Sequence, residues 1–129
     1  MGYRSEVAYV IEFDGKETKQ EWVAIAKLHP TYSQALKECK FVDDMDKDYI
    51  SAYFGHVKWY DTFDDVKCHM AMLDAIAEDA NEHVNARFIR IGEDQDDNED
   101  MAYGEEGYNI PLYISRHVDT EYELGEVDG

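Results

Sequence analysis

The chain has 129 residues, 44% hydrophobic and 13% aromatic, which is enough apolar material for one core and too little length for two ordinary domains. Twelve Lys and Arg stand against 30 Asp and Glu, a formal charge of −18, which disfavours direct binding to nucleic acid or an anionic membrane and favours partners with basic surfaces. Cys39 and Cys68 form no CxxC and no paired framework, and no apolar run matches a signal peptide or a membrane span, so the expectation is a cytoplasmic protein with free thiols.

From Tyr3 to Phe13 apolar and polar residues alternate, a period of two that predicts a strand with one drier face, ended by Asp14-Gly15. Thr18 and Glu21 form a capping box ahead of Trp22, Ile25 and Ala26, which would share the inner face of the next helix. Pro30 ends that helix. A second box, Thr31 to Gln34, starts a short helix carrying Tyr32, Ala35, Leu36 and Cys39, and the acidic stretch 43–48 reads as a loop. Residues 48–60, rich in aromatic and β-branched side chains, predict the second strand.

The longest helix opens at Thr62 as cap, with acids in its first turn where the helix dipole favours them. Its core stripe is Phe63, Val66, Met70, Leu73, Ala77 and Ala80. On the far side Asp64, Asp74, Glu78 and Glu82 fall within about 80° of one another at 100° per residue. Residues 84–92 predict a third strand and 108–118 a fourth, with Pro111 at an edge or a bulge. The expected fold is α+β: a two-layer sandwich with a mostly antiparallel four-stranded sheet and about three helices on one face. Residues 1–118 would form one domain containing an acidic connector at 92–107, followed by an acidic tail at 119–129.

The connector holds eight carboxylates and no basic residue. Asp94, Asp96, Asn98, Asp100 and Glu105 fall on ligand positions of a calcium loop, but Glu99 stands where that loop needs glycine and the flanks read as strands rather than helices. A mobile, solvated hairpin connector is the favoured reading, with a calcium-responsive module as the alternative. His29, His56, His69, His83 and His117 show no metal-ligand spacing, and Cys68 and His69 diverge by about 100° on a helix. His56 and His117 could meet across a sheet face as an acid and base pair, yet two partly exposed strand histidines are the simpler expectation. With no GxGxxG, no GKS or GKT loop and no GxSxG, neither a cofactor nor an enzymatic activity is expected. The cluster Tyr53, Phe54, Trp59, Tyr60 and Phe63 has only Lys58 as a base nearby, so packing, or contact with a protein, outweighs a single-strand nucleic-acid platform.

Helical carboxylates three or four residues apart, and alternate strand residues, repeat at about 5 to 7 Å, close to the charge spacing of a nucleic-acid strand. An acidic face of this kind would attract a basic protein that normally grips nucleic acid. The expected contact residues are Asp94, Asp96, Asp97, Glu99 and Asp100, supported by Asp74, Glu78 and Glu82. Solubility is the competing explanation of the acidity. A free edge strand would also make a homodimer possible.

The runs GYRSEV, HVKWYDTFDDV and FIRIGED resemble small uncharacterised proteins of tailed bacteriophages and prophages, over most of residues 2 to 94. The resemblance implies an accessory protein working in a host bacterial cytoplasm, where small acidic proteins block nucleases or CRISPR complexes, or a structural or assembly component. It carries over no functional residue.

Overall fold

The computed structural model describes residues 3–78, 83–94, 96–104, 106–114 and 118–120, with 113, 114 and 118–120 by backbone alone. In chain order the elements are β1 (Ser5–Phe13), α1 (Lys16–Leu28), α2 (Tyr32–Leu36), β2 (Tyr49–Val57), α3 (Asp64–Glu78), β3 (Val84–Gly92) and β4 (Asn98–Tyr103). A 3₁₀ turn (Gly107–Asn109) and a hairpin of β5 (Leu112–Ile114) and β6 (Val118–Thr120) follow. The first four strands form an antiparallel sheet in the order β2-β1-β3-β4. All three helices cover one face, where Val23, Leu36, Met72 and Leu73 pack with Val7, Tyr9, Ile11 and Phe88. This is the α+β architecture, with four antiparallel strands and three helices, that the hydrophobic periodicities predict.

The acidic connector is the main departure from expectation. Residues 98–103 are not a loose linker but the fourth strand of the sheet, paired with β3 from Ile91 opposite Asn98 to Ala86 opposite Tyr103. Segment 108–118, expected to supply that strand, instead contributes to the 3₁₀ turn and the separate small hairpin. Two features let so acidic a segment pair. Met101 and Tyr103 face the helix side and join the core, while arginines on β3 stand across from its carboxylates.

The opposite sheet face is covered too, because Ile110 and Leu112 pack on Ala8, Val10 and Ile89. β1 is therefore buried on both sides rather than on one. Its end is set by Gly15, whose φ of 118° lies in the left-handed region that favours glycine.

The helices start and turn differently from their capping signals. α1 begins at Lys16, so Thr18 lies within its first turn and caps nothing. Its buried stripe is Lys19, Val23 and Ala26, and Ile25 faces outward. α2 receives no cap from Thr31. The preceding His29 serves instead: its Nδ1 accepts from the amides of Thr31 and Tyr32, and its ring stacks on Tyr32 at 3.7 Å. α3 begins at Asp64 and buries Val66, His69, Met72, Leu73 and Ile76. Relative to the predicted stripe the helix is rotated, which leaves Phe63 and Ala77 exposed and brings in His69.

Lys19 explains why α1 adopts its register. Its side chain is 0% exposed, and Nζ donates to the carbonyls of Phe41 (2.5 Å), Asp44 (2.8 Å), Lys47 (2.7 Å) and Tyr49 (3.2 Å). One ammonium thus organises the acidic 41–49 loop, including Phe41, which sits at φ 66°, a strained conformation for a bulky residue. Burial lowers the Lys19 pKa, and Asp44, Asp48 and Asp43 pull it back up. Replacing Lys19 with Met removes the donor shared by four carbonyls. Urea denaturation is expected to show a loss of roughly 2–4 kcal/mol; a loss well below this would mean the loop holds itself.

Candidate partner-binding surface

The structure divides the carboxylates expected to form an acidic face into two groups. In the first, each is spent on an arginine. Arg87 forms a two-pronged pair with Asp100, Nε to Oδ1 at 3.0 Å and Nη2 to Oδ2 at 2.8 Å, and its Nη1 donates to the carbonyls of Tyr108 and Ile110. That side chain ties β4 and the 3₁₀ turn to β3. On the helix side, Arg90 donates to Asp97 (2.6 and 3.2 Å), to Glu99 (2.9 Å) and to Ser5. Both pairs are charge-assisted and multidentate, the strongest class of side-chain hydrogen bond.

The turn joining β3 to β4 is stitched down as well. The Tyr3 hydroxyl donates to Asp97 Oδ2 at 2.6 Å and accepts from the Asp94 amide, while the Arg4 amide donates to Glu93. The turn approaches so closely at Gly92 that a Cβ there would overlap the Tyr3 hydroxyl and the Asp97 carboxylate. Bonds from Arg90 and Tyr3 hold the Asp97 carboxyl down to about 2.

The second group remains exposed. Asp94 and Asp96 sit at the turn, and Asp74 and Glu78 line the outer side of α3; among the described residues none of these four makes an ion pair. Glu82 and Glu105 lie outside the described residues. The α3 acids and β4 share a neighbourhood: burial pushes the Tyr103 phenol up to about 12, and Asp74 and Glu99 both add to the shift. As for the calcium-loop positions, Asn98 and Asp100 lie in an extended strand with Asp100 bound to Arg87. Among the described residues no three His, Cys, Asp or Glu side chains converge on a metal-sized site.

On α1 lies a residue that the pattern assigned to the core, Ile25. Ile25 and Leu28 on α1 are 72% and 86% exposed. With Trp22, Ala26, Tyr32 and Ala75, Ile25 lines a groove of about 350 Å³ between α1 and α3, which Glu78 closes on one side. Glu21 is exposed one turn before Ile25, and it too makes no ion pair among the described residues. Apolar side chains in a groove, rimmed by charge, are the usual anatomy of a protein-binding hot spot. The misreading has a cause: α1 carries two stripes, and the buried one contains Lys19, so the more apolar Ile25 stripe looks like the core.

The histidines also find their places. His56 is exposed on β2, and His117 lies outside the described residues. His69, 1% exposed, is the one the sequence undervalued. Its Nδ1 is 2.6 Å from the Tyr9 hydroxyl and its Nε2 3.1 Å from Glu38, while the Tyr9 hydroxyl also contacts Cys39 Sγ at 3.1 Å. With Nε2–H donating to Glu38, Nδ1 accepts from the Tyr9 O–H, so a neutral imidazole satisfies the whole chain. His69 and Glu38 reach the side of a cleft of about 340 Å³ beside Phe54 and Trp59. Burial pushes the Tyr9 phenol well up and the Cys39 thiol up to about 12, so neither supplies a nucleophile at neutral pH. The network is a polar core that fixes α2 and α3 against β1.

Two outcomes are expected. Cys39 should resist iodoacetamide at pH 8 in the folded protein and react on unfolding; rapid native-state labelling would contradict the raised thiol pKa and the hydrogen bonding. Because the Asp97 pKa is depressed on folding, its stabilisation is complete above about pH 4 and disappears as pH falls through about 2. Melting curves of Asp97→Asn should therefore lie below wild type at pH 6, by about 1 kcal/mol or less for a carboxylate this exposed, and converge with it near pH 2. Compared with known proteins, the chain matches no family model, no curated protein and no solved structure.

Proposed function

We propose that the protein is a non-enzymatic binding protein of phage type that engages a basic host protein, one built to grip nucleic acid, through the groove between α1 and α3. The observation that carries this reading is the apolar groove lined by exposed Ile25, with Glu78 in its lining, exposed Leu28 further along α1, Glu21 exposed one turn before Ile25 and Asp74 exposed one turn before Glu78. Apolar anchoring supplies affinity, and the surrounding negative potential, reinforced by a net charge of −18, speeds encounter and selects cationic partners.

The emphasis shifts from the connector to the helices for a physical reason. Asp97, Glu99 and Asp100 are neutralised by Arg90 and Arg87, whereas Asp74, Glu78, Asp94 and Asp96 make no ion pair among the described residues. In a bacterial cytoplasm such a surface suits interference with a nuclease or CRISPR complex, whose phosphate-gripping lysines and arginines the acids would occupy in place of nucleic acid.

Binding to an amphipathic helical peptide rich in Lys and Arg tests the reading. Affinity should fall as salt rises, should fall in Glu21→Gln/Glu78→Gln, and should drop by about tenfold or more in Ile25→Asp, the signature of a lost anchor. Affinity indifferent to salt and to all three changes would remove the proposal.

A further inference from the structure

Cations are scarce in this chain, 12 in all, yet Lys27, Lys37 and Lys40 line a single cleft of about 700 Å³ formed by the end of α1, α2 and the loop that follows. Lys27 is tied to Asp43 on the rim. Lys37 and Lys40 are exposed and make no ion pair among the described residues. Two ammonium groups without a described carboxylate partner therefore share one cleft.

Part of the lining is apolar. Leu36 and Val42 are buried and Phe41 is half-buried. This wall is also held in place: Phe41 keeps its left-handed backbone while Lys19 grips its carbonyl at 2.5 Å. A strained residue pinned by a buried charge gives a pre-organised surface, which lowers the ordering cost of binding. The volume lies within the range of small-molecule sites, which combine apolar walls with a few placed charges.

We propose that this cleft binds a small organic phosphate, the phosphate lying between Lys37 and Lys40 and the body of the molecule resting on Leu36, Phe41 and Val42. Two compact ammonium groups, each with three rotatable donors, match a dianionic head better than a single carboxylate. Asp43 and Asp44 also line the cleft, so a second anionic group would be repelled. The preferred ligand therefore carries one phosphate on an uncharged body. The site shares no residue with the groove between α1 and α3 and stands independently of the partner proposed for it.

Titration of the full-length ¹⁵N-labelled protein with adenosine 5′-monophosphate, inorganic phosphate and octanoate tests the site by NMR. Adenosine 5′-monophosphate should shift the amides of Lys37, Lys40, Phe41 and Val42 saturably, with inorganic phosphate and octanoate binding at least about tenfold more weakly. Lys37→Gln/Lys40→Gln should weaken binding by about tenfold or more with an unchanged melting temperature, and Lys37→Arg/Lys40→Arg should retain it. No saturable shift at millimolar adenosine 5′-monophosphate would overturn the site. So would equal binding by inorganic phosphate, tighter binding by octanoate, or indifference to loss of the two lysines.

Discussion

A few partly or wholly buried cations hold this acidic chain together. Lys19 gathers four carbonyls of the 41–49 loop, Arg87 joins Asp100 to the carbonyls of Tyr108 and Ile110, and Arg90 joins Asp97, Glu99 and Ser5. Each sits where an acid-rich stretch must return to the sheet. A desolvated cation is costly when unpaired and strongly directional when fully paired, so these three side chains specify where the acidic segments dock as well as offsetting their repulsion.

The same distribution decides which negative charges remain for a partner. Carboxylates opposite an arginine become part of the fold, and those on the outer side of α3 and at the tip of the β3–β4 turn stay in solvent. Of the exposed acids, Glu78 lines the apolar groove and Glu21 lies one turn before Ile25. A combination of this kind discriminates better than uniform charge, because a partner must match both the anchor and the rim. The lysine-lined cleft follows the converse logic, since Lys37 and Lys40 stand together there without a carboxylate partner among the described residues.

Beneath these surfaces, the hydrogen-bonded run of Glu38, His69, Tyr9 and Cys39 shows how the helix layer is kept in register. Both imidazole nitrogens, the Tyr9 hydroxyl and the Cys39 thiol have partners in it, and Phe54 and Trp59 flank the imidazole. Among the described residues no buried side-chain nitrogen or oxygen lacks a hydrogen bond. An apolar residue at position 69 would pack equally well in several rotations of α3; a histidine bonded on both nitrogens selects one.

Composition fixed the negative charge, and local periodicity was enough to determine the α+β class, the three helices and three of the four sheet strands, because burial of an apolar stripe repeats every two or 3.6 residues whatever the partner is. Tertiary structure alone decided that residues 98–103 would form the edge strand. Nothing within that run reveals that Arg87 and Arg90 on the neighbouring strand pair with its acids, and composition by itself argues for a solvated loop. Likewise, only the loop carbonyls around Lys19 show that a lysine defines the inward face of α1, which turns Ile25 outward and converts a residue expected in the core into the centre of the candidate surface. In each case the deciding interaction joins residues distant along the chain, and a long-range charge pair, unlike a hydrophobic stripe, leaves no period in the sequence.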